Sequence, residues 1–255
     1  KAMNDADAAG GRRAASSSSS SSRGREVDDY SSDEEEAVNP AELARQKTAE
    51  EEAQKKNLLA GTAMIAHGRG EAFDYLIGEV SIPSALLATK YAAKLLYSAK
   101  NPIISVNGNT AILSGDYLIR CAAILGCSIE INIYYRTEER IVGLVDYLNE
   151  RKEYISKEES EINDWKKKVS DVLILGEDAE CNINNLKGPR AKCSCEGIYA
   201  ADVVFVPLED GDRCEALVGM GKSVIVVDLN PLSRSAQMAN VTIIDEISRV
   251  SKNLF

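Results

Sequence analysis

The sequence predicts a doubly wound α/β fold of the Rossmann-like kind, with a mainly parallel sheet of about six strands and a helical segment before it. From residue 102 onward, short runs rich in β-branched residues alternate with stretches of helical periodicity, which is typical of βαβ units. The runs are apolar almost throughout, as expected of parallel strands that are buried on both faces. The six candidate strands are residues 103–106, 129–134, 172–175, 203–206, 224–227 and 241–244.

Helical patterns lie between these strands, at residues 110–125, 138–150 and 214–220 among others. The first helix of the chain has its own start signals. Asn39 can cap it, Pro40 suits its first turn, and Glu42 follows three residues after the cap. We expect this helix to run to about residue 59 and to end at Gly61.

The segment before that helix has the composition of a tail. Residues 1–38 contain seven serines at 16–22 and an acidic cluster at 33–36, with almost nothing apolar to bury. They predict a disordered tail in front of one domain that covers residues 39–255. Residues 12–25 are rich in Arg, Ser and Ala, as organellar transit peptides also are. Because the acidic cluster follows at once, a solvating linker is the simpler interpretation.

The charge balance indicates small-molecule partners. Among 255 residues the formal net charge is -10, whereas binding to nucleic acid or to an anionic membrane requires a basic surface. No apolar run approaches the roughly 18 residues that span a bilayer. The six cysteines are scattered through a chain much longer than a disulfide-scaffold module, which favours a reducing, cytoplasmic setting.

Polar residues follow every candidate strand. In doubly wound sheets, ligands bind beyond the carboxyl ends of the strands. Several of the segments that follow the strands combine Gly, Asn, Asp or Arg, the residue types that phosphate and sugar sites use. We therefore expect the ligand site at this edge. The segments are residues 107–109, 136–138, 176–178, 208–213, 228–230 and 245–246.

The acidic group at residues 209–212 is the strongest catalytic candidate. Asp210 and Asp212, with Arg213 directly after them, follow a strand. Carboxylates there can hold Mg²⁺ against the phosphates of ATP, or accept a proton from an attacking amine. The alternative is that they are helix N-terminal acids that suit the helix dipole.

Two further segments resemble nucleotide motifs. Asp228 ends an apolar strand, where a carboxylate can accept hydrogen bonds from ribose hydroxyls; alternatively it caps a helix that begins near Ser233. Residues 216–223 resemble a P-loop, but they end a helix and start a strand, whereas a P-loop follows a strand and opens a helix. Gly221 is the expected left-handed helix cap, and Lys222 is not expected to bind phosphate.

The only histidine, His67, is followed by Gly68, Arg69 and Gly70, so Arg69 lies between two glycines. By itself His67 is more often structural, but Gly68 and Gly70 allow the backbone to approach a ligand, and Arg69 offers five donors to phosphate. Multi-histidine metal sites are excluded by the histidine count.

Cys181, Cys193 and Cys195 resemble half of a zinc site. No second cysteine pair or histidine completes four ligands. Unpaired surface thiols are therefore the expectation for these three residues.

The ordered motifs closely resemble those of the archaeal phosphopantothenate synthetases, also called 4-phosphopantoate:β-alanine ligases. The resemblance covers roughly residues 45–254, without the tail and without the cysteine-bearing stretch 181–195. It is carried by AHGRGEAFDYL at 66–76, ISVNGN at 104–109, YRTEER at 135–140, EGIY at 196–199, VPLEDGDR at 206–213 and DLNPLSR at 228–234.

The resemblance implies that the chain uses ATP to condense 4-phosphopantoate with β-alanine, giving 4'-phosphopantothenate, AMP and pyrophosphate on the way to coenzyme A. It also implies a homodimer. Where the family has an arginine in the first helix, this chain has Lys47, unless Arg45 takes its place. The ATP contacts that the resemblance implies are Lys47, Arg69, Asp228, Leu229, Asn230, Arg234, Ser235, Glu246 and Ile247.

Together, the residues at the strand ends and the family resemblance predict one arrangement of the site. Arg69 and Arg234 neutralise the triphosphate, residues 228–230 hold the ribose, and residues 246–247 border the adenine. Asp210 and Asp212 hold Mg²⁺ or accept the amine proton. The candidates for the second substrate are Asn107, Asn109, Arg136 and Arg140. The alternatives are a nucleotide-sensing binding protein on the same fold, and an ATP-dependent kinase or synthetase for another small acid.

Overall fold

A computed structural model describes residues 40–60 and 63–255, and it describes the side chains of residues 44, 45, 47–60 and 70–255. The expected tail, its boundary at residue 38, the cap at Asn39 and the helix end at Gly61 lie outside the described residues.

The described helices are α1 (Pro40–Lys55), α2 (Ala63–Ile77), α3 (Pro83–Ser98), α4 (Gly108–Leu125), α5 (Glu138–Ser156), α6 (Trp165–Asp171), α7 (Gly211–Gly219), α8 (Arg234–Met238) and α9 (Ile247–Leu254). The strands are β1 (Pro102–Val106), β2 (Ser128–Ile131), β3 (Ile174–Leu175), β4 (Cys181–Asn182), β5 (Lys192–Cys193), β6 (Val203–Pro207), β7 (Ser223–Val227) and β8 (Val241–Ile243). A 3₁₀ turn at Pro189–Ala191 and a π-helical turn at Cys195–Tyr199 complete the elements.

The central sheet confirms the predicted fold class. Its six strands are all parallel and lie in the order β3-β2-β1-β6-β7-β8. The order reverses between β1 and β6, so the crevice that doubly wound folds use for ligands lies between the ends of these two strands. The small antiparallel hairpin of β4 and β5 was not predicted, because its two-residue strands are too short to show a period.

Two apolar layers cover the sheet. The larger one joins α3, α4, α5 and α9 to one face through side chains such as Leu96, Leu118 and Leu148. The smaller one packs α7 and the hairpin segment on the other face through Leu217 and Ile183. Burial on both faces explains why the strands are almost continuously apolar.

The first helix ends earlier than expected, at Lys55 rather than near residue 59. Leu58 and Leu59 instead pack against the start of α4 and against α5. A Cβ atom at Gly108 would lie 3.0 Å from Leu59 Cδ2, and one at Gly143 would lie 2.9 Å from Leu58 Cδ2. Because these two glycines have no side chain, Leu58 and Leu59 can approach α4 and α5 closely.

Within residues 40–60 and 63–255, none of the helices combines the length and the apolar character that crossing a bilayer requires.

Candidate functional site

The loops after β1 and β6 are hydrogen-bonded to each other across the crevice. Asn107 caps α4, because its Oδ1 accepts from the backbone N–H of Thr110 at 3.0 Å. Its Nδ2 donates to the carbonyl oxygen of Leu208 at 2.9 Å. The Asn107 side chain therefore links the two loops at the point where the strand order reverses.

Leu208 adopts an unusual backbone conformation. Its φ of +55° lies in the left-handed region that favours glycine, which costs a non-glycine residue about 1–2 kcal/mol. Residues in such conformations are retained when the surrounding structure holds them. Here the Leu208 N–H donates to the Val227 carbonyl at 3.1 Å, and its own carbonyl accepts from Asn107. The bend directs the following acidic residues along the edge of the sheet.

Glu209 lies at the centre of a buried charge network. Its carboxylate is fully buried and forms ion pairs with Arg190 and Arg213. Arg213, whose side chain is also buried, donates to Ser105 Oγ at 3.0 Å. Burial lowers the pKa of Arg213, and the adjacent Glu209 carboxylate opposes that shift. Arg213 is thus bound beneath the acidic loop rather than exposed at its surface.

Arg190 is a member of this network that the sequence analysis missed. It follows Gly188, with φ of +99°, and Pro189, so the chain makes a tight turn just before it. Its guanidinium contacts Asn132 after β2 and both Glu209 and Asp210 after β6. The Gly-Pro-Arg sequence indicated a turn, but nothing local indicated where that turn packs.

The two candidate catalytic carboxylates differ from Glu209 in exposure. The side chains of Asp210 and Asp212 are 58% and 69% exposed. Asp210 is ion-paired with Arg190 at 2.8 Å, and Asp212 is ion-paired with Arg234. Arg234 also pairs with Glu215 on α7. Both carboxylates can therefore meet a ligand at the surface while their partners hold them in place.

The loop after β7 is ordered by its own side chains. Asp228 Oδ1 accepts from the N–H of Asn230 at 2.9 Å, and its other oxygen accepts from the Ser233 hydroxyl. Ser233 is the cap of α8, with its Oγ accepting from the N–H of Ala236. Asp228 therefore supports the helix cap without being the cap, and its position at the strand end remains compatible with ribose binding.

Helix α2 packs against this loop. A Cβ atom at Gly70 would lie 3.4 Å from Leu229 Cδ1, and Leu229 is buried. The backbone of Arg69 is next to that contact, whereas its side chain and that of His67 are outside the described part of the chain. Ser235, also buried, donates to the carbonyl of Glu209 at 2.5 Å and so links α8 to the acidic loop.

The loop after β8 is built on two buried acids. Glu246 caps α9 by accepting from the N–H groups of Ser248 and Arg249, and burial raises its pKa. Asp245 accepts from Arg249 Nε at 2.8 Å, and Arg249 also pairs with Asp74 of α2. These bonds hold α2 beside the β8 loop. Ile247, in the first turn of α9, is buried.

Lys47 lies next to α2. Its ammonium lies 3.6 Å from a carboxylate oxygen of Glu71 on α2, two residues after Arg69. Arg45, the alternative to Lys47, is exposed on α1 and has a polar partner of its own.

The remaining substrate candidates have different surroundings. Asn109 lies in the first turn of α4, next to the crevice. Arg136 donates to the Gly176 carbonyl at 2.5 Å, which ties the loop after β2 to the end of β3. Arg140 is buried and donates to the carbonyls of Tyr135 and Leu58, so its guanidinium secures the α1 segment.

The P-loop-like segment has the structure that the sequence analysis expected. Helix α7 ends at Gly219, Gly221 has φ of +79°, and β7 begins at Ser223. Lys222 donates to the carbonyls of Tyr199 and Ala201, both at 2.7 Å. Its ammonium is bound at the amino end of the sheet, opposite the candidate site.

The expectation for the cysteines was wrong. Cys181 and Cys195 form a disulfide, and Cys193 is fully buried rather than on the surface. The hairpin explains this arrangement, because it folds residues 181 and 195 onto each other although 14 positions separate them. The free thiols of Cys121, Cys127, Cys193 and Cys214 are all buried, and burial raises the pKa of Cys193 to about 11.

The disulfide-bonded segment also contacts the centre of the sheet. Glu130, a fully buried carboxylate in β2, accepts from the N–H groups of Ser194 at 2.8 Å and Ile198 at 2.6 Å. Burial raises the pKa of Glu130, and the two amide donors oppose that shift. Segment 193–198 is therefore fastened to the same sheet face as Arg213 and Ser105.

A metal site made of protein ligands alone was sought in the described ranges. No group of three His, Cys, Asp or Glu side chains there is arranged to hold a metal ion. Mg²⁺ in nucleotide sites usually needs only one or two carboxylates, together with phosphate oxygens and water. The exposed carboxylates of Asp210 and Asp212 fit that smaller requirement.

Comparison with known proteins gave consistent matches. Residues 84–255 match the family described as phosphopantothenate/pantothenate synthetase. The chain is 46% identical over 198 residues to a 4-phosphopantoate–beta-alanine ligase of Thermococcus onnurineus, which covers 78% of this chain and 69% of that protein. It is 42% identical over 212 residues to a protein of the same name from Methanosarcina mazei, covering 83% of this chain and 76% of that one.

Proposed function

Because the chain belongs to the phosphopantothenate/pantothenate synthetase family, we propose that it is a ligase that condenses 4-phosphopantoate with β-alanine to give 4'-phosphopantothenate. The relatives from Thermococcus onnurineus and Methanosarcina mazei carry the name of that ligase activity. In this proposal ATP activates the acid, and AMP and pyrophosphate are released in a step of coenzyme A biosynthesis.

One structural observation carries the proposal beyond family membership. The acidic loop at 208–212 lies next to the nucleotide loop at 228–234, because β6 and β7 are neighbours in the sheet. Ser235 and the pair of Asp212 with Arg234 join the two loops directly. The residues that bind ATP to activate the carboxylic acid and the residue that accepts the amine proton would thus lie close together at the carboxyl edge of the sheet.

The reaction requires both an activated acid and a neutral amine. A carboxylate and an ammonium do not condense in water, so the carboxylate must gain a leaving group and the amine must lose a proton. Arg234 and Arg69 would neutralise the triphosphate, with Lys47 as a further cation near α2. Asp210 or Asp212 would accept the amine proton. Both carboxylates are exposed enough to reach a bound amine.

The nucleotide would lie across the ends of β7 and β8. Residues 228–230 would contact the ribose, and residues 246–247 would border the adenine through backbone groups, since the Glu246 carboxylate is occupied by the α9 cap and Ile247 is buried. Ser235 would act on this site through its bond to the acidic loop.

The second substrate would lie on the other side of the crevice, near the ends of β1 and β2. Asn107 and Asn109 lie at the N-terminus of α4, where backbone N–H groups and the helix dipole favour an anion. Arg136 and Arg140 would shape this side of the site through their bonds to backbone carbonyls, and a direct contact with substrate would require those bonds to change.

Asp210 or Asp212 would also hold Mg²⁺. When bound there, the ion would offset the negative charge of the ATP phosphates. We further propose that the protein acts in the cytoplasm as a homodimer.

The nucleotide-sensing alternative needs only residues 228–234. It provides no use for the buried guanidinium of Arg190 that holds the exposed carboxylate of Asp210, and this contact favours the ligase.

The function is tested by nucleotide cleavage. The protein is incubated with ATP, Mg²⁺, 4-phosphopantoate and β-alanine, and AMP is quantified while each substrate is omitted in turn. We expect AMP release only with all substrates present. ADP release, or cleavage that does not depend on β-alanine, would contradict the proposed reaction.

The chemical path is tested by isotope transfer. If the carboxylate attacks the α-phosphate, the amine later displaces AMP and one carboxylate oxygen leaves with it. With 4-phosphopantoate labelled with ¹⁸O in its carboxylate, we expect the label in AMP by mass spectrometry. Label in inorganic phosphate would contradict the adenylate path and leave the ligase assignment in place.

The acidic loop is tested by Asp210→Asn and Asp212→Asn. A proton acceptor or metal anchor acts mainly in the transition state, so at least one of the two variants should lose turnover by about 10²-fold or more with a much smaller change in ATP affinity. Glu215→Gln is the matched control, because Glu215 also pairs with Arg234. Full turnover in both aspartate variants would show that neither carboxylate accepts the proton or anchors the metal.

A further inference from the structure

The guanidinium of Arg190 is bound on every nitrogen. Its Nε donates to Asn132 Oδ1 at 3.3 Å, and its Nη2 donates to the Asn132 carbonyl and to Glu209 Oε2. Its Nη1 lies 2.8 Å from Glu209 Oε1 and donates to Asp210 Oδ2, also at 2.8 Å. Of the five N–H donors of an arginine, four make these hydrogen bonds, and the contact between Nη1 and Glu209 Oε1 is an ion pair.

The acceptors come from two different strand ends. Asn132 directly follows β2, whereas Glu209 and Asp210 follow β6. Asn132 is itself fixed, because its Nδ2 donates to the Lys192 carbonyl at 2.9 Å. Arg190 is therefore a rigid bridge from β2 to the acidic loop across the end of β1.

The three charged side chains of this bridge differ in their exposure to solvent. The Arg190 side chain is 10% exposed and that of Glu209 is fully buried, whereas the side chain of Asp210 is 58% exposed. One oxygen of Asp210 faces Arg190, so the exposed carboxylate is held from its buried side. A surface aspartate without such a partner would sample several rotamers.

We propose that Arg190 is a positioning residue that holds the Asp210 carboxylate in the geometry needed to serve the reacting amine. This inference rests on the proposed function. Arg190 does not touch substrate itself, because its guanidinium is enclosed by Asn132, Glu209 and Asp210 and its side chain is only 10% exposed. The planar fork matters as much as the charge, since one ammonium cannot reach Asn132, Glu209 and Asp210 together.

The experiment compares Arg190→Ala and Arg190→Lys with the wild type by β-alanine-dependent AMP release. We expect kcat to fall by about 10–100-fold in Arg190→Ala, the range that a misplaced catalytic group produces, with the KM for ATP changed less than about twofold. Arg190→Lys should lie between the wild type and the alanine variant, because it retains the charge but not the fork.

The Asp210→Asn background separates positioning from a general structural role. Arg190 and Glu209 both contact Asp210. A residue that acts through the Asp210 carboxylate loses its effect when that carboxylate is absent, whereas a merely structural residue lowers kcat in either background.

Arg151→Ala is the matched control. Arg151 makes an equally close two-point contact with Asp116 between α5 and α4, away from the strand ends. It should lose stability and retain its kcat. In an Asp210→Asn background, Arg190→Ala should lower kcat little further, because the two residues act as one unit.

The outcomes distinguish the two proposals. An active wild type whose kcat is retained in both Arg190 variants, or additive losses with Asp210→Asn, would overturn the positioning role alone. A wild type without β-alanine-dependent AMP release would overturn the proposed function and this inference with it. If Arg190→Ala does not fold, the kcat of Arg190→Lys and its combination with Asp210→Asn decide between support and rejection.

Discussion

Replacing Asn107 with alanine removes two interactions at the point where the strand order reverses. The side chain caps α4 through Thr110 and donates to the Leu208 carbonyl in the neighbouring loop. Loss of the cap costs about 1 kcal/mol. Loss of the donor leaves a partly buried carbonyl unpaired, which costs about 1 kcal/mol more. We expect Asn107→Ala to lower the free energy of unfolding by about 2 kcal/mol.

Two variants separate these contributions. Thr137→Ala removes the cap of α5, where Thr137 accepts from the Arg140 N–H, and breaks no bond to a neighbouring loop. It should cost about 1 kcal/mol. Asn107→Asp retains the cap acceptor and removes only the donor to Leu208. It should also cost about 1 kcal/mol, because a carboxylate then faces the carbonyl.

Urea unfolding measures these differences through the single tryptophan. Trp165 is buried and its Nε1 donates to the Ile155 carbonyl at 3.1 Å, so unfolding should change its fluorescence. If Asn107→Ala costs no more than Thr137→Ala, the bond between the loops contributes nothing to stability. The stabilising role of the Asn107–Leu208 bond across the crevice would then be refuted. The same conclusion would follow if Asn107→Asp had the same free energy of unfolding as the wild type.

Three other features give direct tests. Lys222→Ala should leave the ATP dissociation constant unchanged and lower stability by about 1–3 kcal/mol, because two buried carbonyls lose their donor; weaker ATP binding would restore the P-loop interpretation. Without reductant at pH 8, the folded protein should present no fast-reacting thiol, and unfolding should release four, with six after reduction of the disulfide. Gly197→Ala should destabilise the protein by about 1–3 kcal/mol, since its Cβ would lie 2.1 Å from Glu130 Oε2, whereas Gly219→Ala, with open space around it, should be near neutral.

The sequence predicted those parts of the site that depend on local order. The periodicity of the chain predicts the strands, the helices that follow them and the parallel arrangement of the sheet. Parallel strands bring their carboxyl ends to one edge, so Asp210 and Asp228 could be assigned to the same edge without coordinates. The same reasoning excluded Lys222, because a lysine between a helix end and a strand start must lie at the opposite edge.

Contacts between distant segments could not be predicted in this way. Arg190 lies 58 positions from Asn132 and 20 from Asp210, and only the packing of the hairpin segment brings the three together. The disulfide depends on the same packing, since two-residue strands leave no period to read. Arg140 and Arg213 were assigned to substrate or catalysis from their places after strands and their planar donors, whereas burial binds their guanidinium groups to neighbouring protein atoms.

The sequence by itself thus determined the fold class and the edge that carries the candidate site, because these follow from patterns repeated along the chain, and its ordered motifs indicated the family. The tertiary structure decided the strand order, the disulfide and the partners of each buried charge. The physical reason is that a charged side chain excluded from water must pair with whatever group the packing places within reach, and that neighbour is set by the whole fold rather than by adjacent residues.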